Sequence, residues 1–247
     1  MKRAHRLSAG LLTLAVVCAS LAPAPAGGGQ ERDESDVHYT KGNELVRAGD
    51  YKNAVVAYRR ALKLKPDSVH AHSGLGLAHL RLRQFKEAAE AFEKAVKLDP
   101  AYAAGYNGLG DALYGLGRTA DAAEQFRAAI RLSPDNPAAY AKLGRAYMDL
   151  EKYDEAVESL GNALRIRADY VDAHRYLGNV YLKQRKHAEA IASYGEAVRL
   201  KPDSAEARLG LGLAYLDAGD VAAARAQLVV LRKLDPALAK KLADLFK

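Results

Sequence analysis

Histidines are the first residues of this sequence whose side chains could do chemistry. His70, His72 and His79 form its densest histidine group, and imidazole nitrogens are common metal ligands. A metal site would also need a third ligand and a second shell of hydrogen bonds, and none is evident. His72 and His79 take places that tyrosines occupy elsewhere in the chain. We therefore predict partly buried histidines in aromatic positions, with no metal and no cofactor.

Paired glycines are a second feature that could do chemistry, because glycine-rich loops can bind phosphate groups. Residues 74–76, 108–110 and 210–212 all have the sequence Gly-Leu-Gly. A dinucleotide fingerprint follows a strand, whereas each of these triplets lies within a helical pattern. They are predicted to serve helix packing.

Catalytic constellations are not evident in the remaining sequence. No Ser-His-Asp order, paired-carboxylate site or P-loop stands out, and Glu87, Glu90 and Glu93 follow the spacing of a solvated helix face. Cys18, the single cysteine, lies in the N-terminal apolar segment, so the rest of the chain can form no disulfide. We predict a protein that is not an enzyme and has no small-molecule substrate.

The charge of the chain argues against a nucleic-acid partner. The formal net charge is +7, but without residues 1–26 there are 34 basic and 30 acidic side chains, a balance of +4. This excess is spread over the chain, whereas nucleic-acid binding needs a clustered basic face. With 49% hydrophobic residues, the chain can build a core.

The N-terminal segment has the three parts of a secretory signal. A basic start precedes an apolar run over residues 7–22, and Ala24-Pro25-Ala26 matches an A-x-A cleavage pattern. We predict a signal peptide over residues 1–26, cleaved after Ala26, and hence a secreted or periplasmic protein. Residues 27–36, glycine-rich and then charged, are predicted to be a flexible linker.

Two alternatives remain open for this segment. The apolar run could be a retained membrane anchor, although it is short for a span of about 20 residues. The protein could instead be a lipoprotein attached through Cys18, although Val17 stands where a bacterial lipobox would place a small residue. Membrane contact is expected only in these two cases.

A 34-residue period organises the remaining chain. Six units can be aligned over residues 35–238: 35–68, 69–102, 103–136, 137–170, 171–204 and 205–238. Each has glycine at its eighth position and alanine at its twentieth, and prolines recur near the unit ends. Such a period predicts a stacked array in which each unit borrows its core from its neighbours.

Glycine within a helix costs about 1 kcal/mol relative to alanine, so its recurrence requires a compensating close contact. The second helix should approach the glycine through its small residues, while a large residue fills the gap. The residues predicted to pack in this way are Gly76, Gly110, Gly144, Gly178, Gly212, Ala88, Ala122, Ala156, Ala190, Phe92 and Phe126.

This pattern resembles the tetratricopeptide repeat family, with Leu-Gly, Tyr, Ala, Phe, Ala and Pro at the family spacings. The resemblance implies an all-α fold, a right-handed superhelical α-solenoid of helix-turn-helix units. The apolar spacing of residues 237–247 predicts a capping helix that covers the exposed end of the stack.

The resemblance also implies where a partner binds. In this family the first helices of the units line a concave groove that receives peptides or partner helices. The matching positions include Asn43, Arg47, Leu80, Arg81, Asn107, Asp111, Tyr114, Arg145, Met148, Arg175, Asn179, Leu182 and Lys183. The apolar members at the twelfth position of each unit could equally pack against the adjacent first helix.

The fifth unit carries the most basic part of this groove. Arg175, Asn179 and Lys183 are spaced to lie on one helical face. Arg175 and Asn179 match the pair that grips a C-terminal carboxylate in some family members, but Gly210 stands where that clamp needs asparagine. We therefore do not expect a full carboxylate clamp, but we do expect this part of the groove to prefer acidic segments.

Together these patterns predict a non-catalytic scaffold that binds a peptide or partner protein in its groove, within a bacterial-type cell envelope. The alternatives are a structural array that associates with itself and a lipid-anchored envelope assembly factor.

Overall fold

The computed structural model describes residues 33–246, and within this range the chain is entirely helical. The predicted signal peptide and most of the predicted linker lie outside the described residues. Thirteen α-helices are followed by a short 3₁₀ turn: α1 (Glu34–Arg47), α2 (Tyr51–Leu64), α3 (Val69–Arg81), α4 (Phe85–Leu98), α5 (Ala103–Gly115), α6 (Thr119–Leu132), α7 (Pro137–Asp149), α8 (Tyr153–Ile166), α9 (Val171–Lys183), α10 (His187–Leu200), α11 (Ala205–Asp217), α12 (Val221–Leu234), α13 (Pro236–Ala243) and the turn Asp244–Phe246.

The helices form consecutive hairpins that stack on one another, which confirms an α-solenoid with a C-terminal helix. Each odd-numbered helix up to α11 packs against the even-numbered helix that follows it, and each even-numbered helix packs against the next odd-numbered one. Odd-numbered helices also contact each other, as α3 does α5 and α7 does α9, whereas the even-numbered ones have no comparable contacts. The odd-numbered helices therefore line the inner, concave side. Within residues 33–246, no helix combines the length and apolar character needed to span a bilayer.

Each hairpin turn contains one residue with a left-handed backbone. Gly49, Gly117 and Gly219 have φ of 76°, 76° and 83°, and each lies just past the end of the first helix of its hairpin, where a glycine commonly ends a helix. Arg83, Glu151 and Arg185 occupy the same place in the other hairpins, with φ of 58°, 60° and 58°. The turn geometry is thus kept in all six hairpins, including three where the side chain disfavours it.

Aromatic rings sit between pairs of glycines and lock successive hairpins together. A Cβ at Gly76 would lie 2.8 Å from the Phe92 ring, and one at Gly108 would lie 2.3 Å from the other edge of that ring. Tyr58 lies in the same way between Gly42 and Gly74, and Tyr194 between Gly178 and Gly210. The Gly-Leu-Gly triplets therefore serve packing. The first glycine of each triplet receives the ring of the preceding hairpin, and the second glycine, at Gly76 and Gly110, receives the ring of its own hairpin.

Between α6 and α9, other side chains replace this arrangement of a ring between two glycines. Phe126 contacts Gly110 but faces Lys142 in the next hairpin, with the Lys142 Nζ 5.9 Å from the ring centroid. In the following hairpin Leu160 packs on Gly144, and the ring is supplied instead by Tyr176 of α9. This exchange moves an aromatic side chain to the concave side.

Alanines of the even-numbered helices complete the core. Ala88, Ala122, Ala156 and Ala190 are all fully buried. Their small side chains allow the two helices of a hairpin to approach closely.

Helix α13 closes the C-terminal end of the stack. Leu242 is fully buried and lies 2.6 Å from where a Cβ on Gly212 would be, so it fills the place that rings fill elsewhere. The sequence places Leu245 on the same face as Leu238 and Leu242, but Leu245 is 56% exposed. The helix ends at Ala243, and the tighter 3₁₀ turn that follows directs Leu245 outward.

Candidate binding cleft on the concave face

The concave side carries a cleft of about 650 Å³ across three successive hairpins. Helices α5, α7 and α9 supply most of its walls, and the turn before α11 closes one side. Its lining residues are Tyr114, Arg145, Met148, Asp149, Val171, Asp172, Arg175, Tyr176, Asn179, Lys201, Ser204 and Glu206.

Arg145 lies at the centre of this cleft between two tyrosines. Its guanidinium carbon is 4.2 Å from the ring centroid of Tyr114 and 5.7 Å from that of Tyr176. Partial burial opposes the charge of Arg145, but the phenol groups of Tyr176 and Tyr114 outweigh it, and the pKa of Arg145 is raised. Arg145 is therefore a fixed cation whose stacking contacts are each worth about 0.5–2 kcal/mol.

Arg175 stacks on the same tyrosine but is neutralised locally. Its guanidinium carbon lies 4.3 Å from the Tyr176 centroid, and its Nη2 donates to Asp172 Oδ1 at 3.0 Å. The side chain of Arg175 is 22% exposed. Tyr176 thus positions two arginines, of which Arg175 already has a carboxylate partner.

Tyr114 is held by the hairpin that follows it. Its hydroxyl donates to Asp149 Oδ2, which joins α5 to the end of α7. Burial, followed by the hydrogen bond to Asp149, raises the pKa of Tyr114 to about 12. The phenol therefore remains a neutral donor at physiological pH, and the Asp149 carboxylate is engaged with it.

A polar bridge borders the cleft where α5 meets α7. Lys142 Nζ donates to Asp111 Oδ2 at 2.7 Å and to Asn107 Oδ1 at 3.3 Å. The Lys142 and Asp111 side chains are 33% and 36% exposed. Asn107 and Asp111 are thus joined to the next hairpin rather than open to a ligand.

The predicted groove residues separate into four groups, one of which is the pair Asn107 and Asp111 that Lys142 binds. Tyr114, Arg145, Met148, Arg175 and Asn179 meet in the cleft. Asn43 and Arg47 line a smaller cavity of about 260 Å³ near α1 and α3. Outside both cavities, Leu80 and Leu182 pack against the core while Arg81 and Lys183 are exposed.

The predicted basic wall is only partly assembled. Arg175 and Asn179 line the cleft, whereas Lys183 does not. Asn179 Oδ1 accepts a hydrogen bond from the Tyr194 hydroxyl, and Arg175 is paired with Asp172. Arg145 and Lys201 are the cations of the cleft without a carboxylate partner among residues 33–246, and Arg145 is the one that lies over aromatic rings.

Sequence reasoning missed Tyr176, which organises the cleft. Its position is the sixth of its unit, where three of the other units carry the first glycine of Gly-Leu-Gly. The departure from glycine, together with leucine instead of an aromatic at residue 160, is the feature that could have revealed it. Asp172, Lys201, Ser204 and Glu206 were also missed, and no pattern in the sequence distinguishes them.

Three histidines, His72, His79 and His174, have hydrogen-bond partners within the fold. His72 Nε2 lies 2.9 Å from the carbonyl oxygen of Pro66, and His174 Nε2 lies at the same distance from that of Ala168. His79 is 4% exposed, with its Nδ1 2.7 Å from Gln84 Oε1. Within residues 33–246 no three His, Cys, Asp or Glu side chains are grouped so that they could hold a metal ion.

Family models match most of the chain. A model described as tetratricopeptide repeat matches residues 39–103, 75–137 and 177–239, and one described as TPR repeat matches residues 144–185. No curated protein is significantly similar to the chain in sequence.

Solved structures with the same fold include a type IV pilus biogenesis factor. PilW, described as a widely conserved type IV pilus biogenesis factor, has a TM-score of 0.78 and 20% identity, over 86% of this chain and 98% of PilW. PilF of Pseudomonas aeruginosa has a TM-score of 0.73 and 22% identity, over 87% of this chain and 98% of PilF. YrrB, described as a TPR protein with an unusual peptide-binding site, has a TM-score of 0.58 and 19% identity, over 76% of this chain and 98% of YrrB.

Proposed function

The chain belongs to the tetratricopeptide repeat family, and we propose that it is a scaffold that binds an extended segment of a partner protein in its concave cleft. The observation that carries the proposal is the set of stacked side chains around Arg145. Tyr114, Arg145 and Tyr176 come from three successive hairpins and meet in one cleft. Preformed aromatic and arginine groups are the side chains that dominate binding energy at protein interfaces.

The shape of the cleft favours a chain segment over a small molecule. It is open along its length and crosses α5, α7 and α9, whereas small-molecule sites enclose most of their ligand. An extended segment can lie across successive inner helices and meet each hairpin in turn. The similarity in fold to YrrB, with its printed peptide-binding site, agrees with this proposal.

We further propose that the protein works without catalysis. Stacking, ion pairing or hydrogen bonding holds most of the titratable groups of the cleft in place, as it holds Arg175 against Asp172. Arg145 has a raised pKa and would not exchange protons near neutral pH.

The proposed location is the cell envelope, as a secreted or periplasmic protein. Support comes from the signal-like sequence of residues 1–26 and from the likeness in fold to PilW, a pilus biogenesis factor. Cell fractionation, with N-terminal sequencing of the mature protein, tests this location. A mature protein that begins at Met1 in the cytoplasmic fraction would contradict it.

Crosslinking pulldown from envelope fractions tests the binding proposal. We expect specific partners to be captured by the parent protein and lost with the double substitution Arg145→Ala and Tyr176→Ala. Arg59→Ala and Tyr51→Ala, on α2 and away from the cleft, form the matched control. Equal capture of the same partners by the cleft variant would contradict binding at this site.

A self-associating array is the second candidate, and one observation favours it. Leucines recur at the ends of even-numbered helices and are strongly exposed: Leu64 is 50%, Leu98 43%, Leu132 42% and Leu234 39% exposed. Light scattering of the purified protein separates the candidates, because a monomer favours the scaffold and a concentration-dependent oligomer favours the array.

A further inference from the structure

Arg145 combines a fixed position with a missing counter-ion. It has no ion pair among residues 33–246, whereas Arg175 is paired with Asp172 at 3.0 Å. The carboxylate of Asp149, on its own helix, accepts from the Tyr114 hydroxyl. Lys201 is a second cation without an ion pair in this part of the chain, but it is exposed at the margin of the cleft.

The rings beside Arg145 limit how it can bind a ligand. The Tyr114 ring centroid lies 4.2 Å from the guanidinium carbon and the Tyr176 centroid 5.7 Å from it, and both phenol groups also hydrogen-bond to Arg145. A guanidinium has five N–H donors in a planar fork, so donors remain on Arg145 that can match the two oxygens of a carboxylate. Because the side chain is already stacked, little rotamer entropy remains to be lost on binding.

The charges around Arg145 favour a ligand with one negative charge. Three basic side chains of the cleft (Arg145, Arg175 and Lys201) face three acidic ones (Asp149, Asp172 and Glu206). With basic and acidic side chains equal in number, the lining has no excess positive charge for a phosphate or polyanion, whereas a single carboxylate needs only the Arg145 guanidinium. A chain terminus would need further donors, but Gly210 has no side chain and Asn179 Oδ1 is engaged by Tyr194.

We infer that Arg145 binds an aspartate or glutamate side chain of the partner segment and so determines the specificity of the cleft. The inference rests on the proposed function, because it names the chemistry that the cleft recognises. Tyr114 and Tyr176 are positioning residues that hold the guanidinium. This assigns the predicted acidic preference to Arg145, rather than to the wall of Arg175 and Lys183.

Peptide arrays with matched sequences test this assignment on the full chain. The probes are C-terminally amidated 12-residue peptides in pairs that differ only by Glu or Gln at the centre. We expect the parent protein to bind the Glu members about tenfold or more tightly, as for a charge-assisted hydrogen bond. That ratio should fall to about one with Arg145→Ala and stay unchanged with Arg59→Ala. Arg145→Lys, which keeps the charge but not the planar fork, should retain an intermediate ratio.

Several outcomes would overturn the inference. Equal binding of Glu and Gln peptides by the parent protein would do so, as would a Glu preference that survives in Arg145→Ala. Binding that depends on a free C terminus, tested with Gln peptides lacking the amide, would assign the cleft to chain ends instead. Peptide binding without any Glu preference leaves the proposed function standing, whereas no binding of any peptide counts against both. If Arg145→Ala fails to fold by circular dichroism, Arg145→Gln provides the same comparison.

Discussion

The glycines of this protein differ sharply in how much space surrounds them. A Cβ at Gly144 would lie 2.6 Å from Leu160 Cγ, whereas one at Gly161 would meet nothing within 4 Å. Both lie within helices, α7 and α8. The surroundings therefore decide whether a larger residue is tolerated.

We predict that Gly144→Leu destabilises the protein by about 1–3 kcal/mol or more, because it overpacks the contact with Leu160. The matched control, Gly161→Leu, should be neutral or stabilise by up to about 1 kcal/mol through helix propensity. Thermal and urea unfolding of both variants measure the difference. Equal unfolding free energies for the two would show that the register of the hairpins is wrong.

Tyr58 gives the fold a sensitivity to alkaline pH. The residue is 1% exposed, and its hydroxyl donates to Asn43 Oδ1 at 2.7 Å. Burial raises the pKa of Tyr58 to about 12, against about 10 in an unfolded chain. Because the folded state holds this proton more tightly, the stabilisation is complete below about pH 10 and is lost as pH rises towards about 12.

Tyr58→Phe should therefore reduce the loss of stability between about pH 10 and pH 12. The parent protein should lose up to about 2–3 kcal/mol across this interval through this one group. Melting temperatures recorded by circular dichroism from pH 8 to pH 12 test this. Parallel curves for the two proteins would mean that another group controls alkaline unfolding.

At the scale of the helical hairpin, three of the turns hold a non-glycine residue in a left-handed backbone conformation. Glu151 has φ of 60° where Gly49, Gly117 and Gly219 stand in other hairpins. This conformation costs a residue with a side chain about 1–2 kcal/mol. Glycine avoids that cost, but it makes the unfolded chain more flexible, and this offsets part of the gain in stability.

Glu151→Gly should accordingly stabilise the protein by about 0.5–1 kcal/mol. Glu93→Gly is the matched control, since Glu93 is exposed within α4 and should lose about 1 kcal/mol. Chemical denaturation measures both. A destabilising Glu151→Gly would indicate that its side chain makes a contribution beyond the turn.

Much of the architecture was predictable at this scale, because the period fixes it. Glycine at the eighth position and alanine at the twentieth predict the hairpin, and α3, α5, α7, α9 and α11 begin where the aligned units do. The cleft was less predictable, because it depends on departures from the period. Tyr176 replaces a glycine and Leu160 replaces a ring, and only packing shows that these two changes belong together.

The groove residues illustrate the same limit. Asn107 and Asp111 occupy positions that face the concave side, but Lys142 binds both. Leu80 and Leu182 lie at the twelfth position and pack against the core. Spacing along one helix places a residue on a face, whereas its partner comes from the neighbouring hairpin and cannot be read from that spacing.

For the molecule as a whole, the ends of the stack need cover that interior hairpins obtain from each other. Leu242 of α13 is fully buried against Gly212, and Leu245 is 56% exposed. We predict that Leu242→Ala costs about 2–5 kcal/mol, because it opens a cavity at the end of the core. Leu245→Ala is the matched control and should change stability by less than about 0.5 kcal/mol. Thermal unfolding compares the two, and similar losses would show that α13 does not cap the stack.

The glycine-ring-glycine lock has a consequence for how the array unfolds. In a linear array, cooperativity comes from the coupling between nearest neighbours. Tyr58, Phe92 and Tyr194 each couple one hairpin to the next through a pair of glycines. At the joint between α8 and α9 Leu160 replaces that ring, and Tyr176, which lines the cleft, packs there instead. A segment bound across Tyr114, Arg145 and Tyr176 would span that joint and strengthen its coupling. Occupied and empty protein would then differ most in whether the two halves of the array melt together.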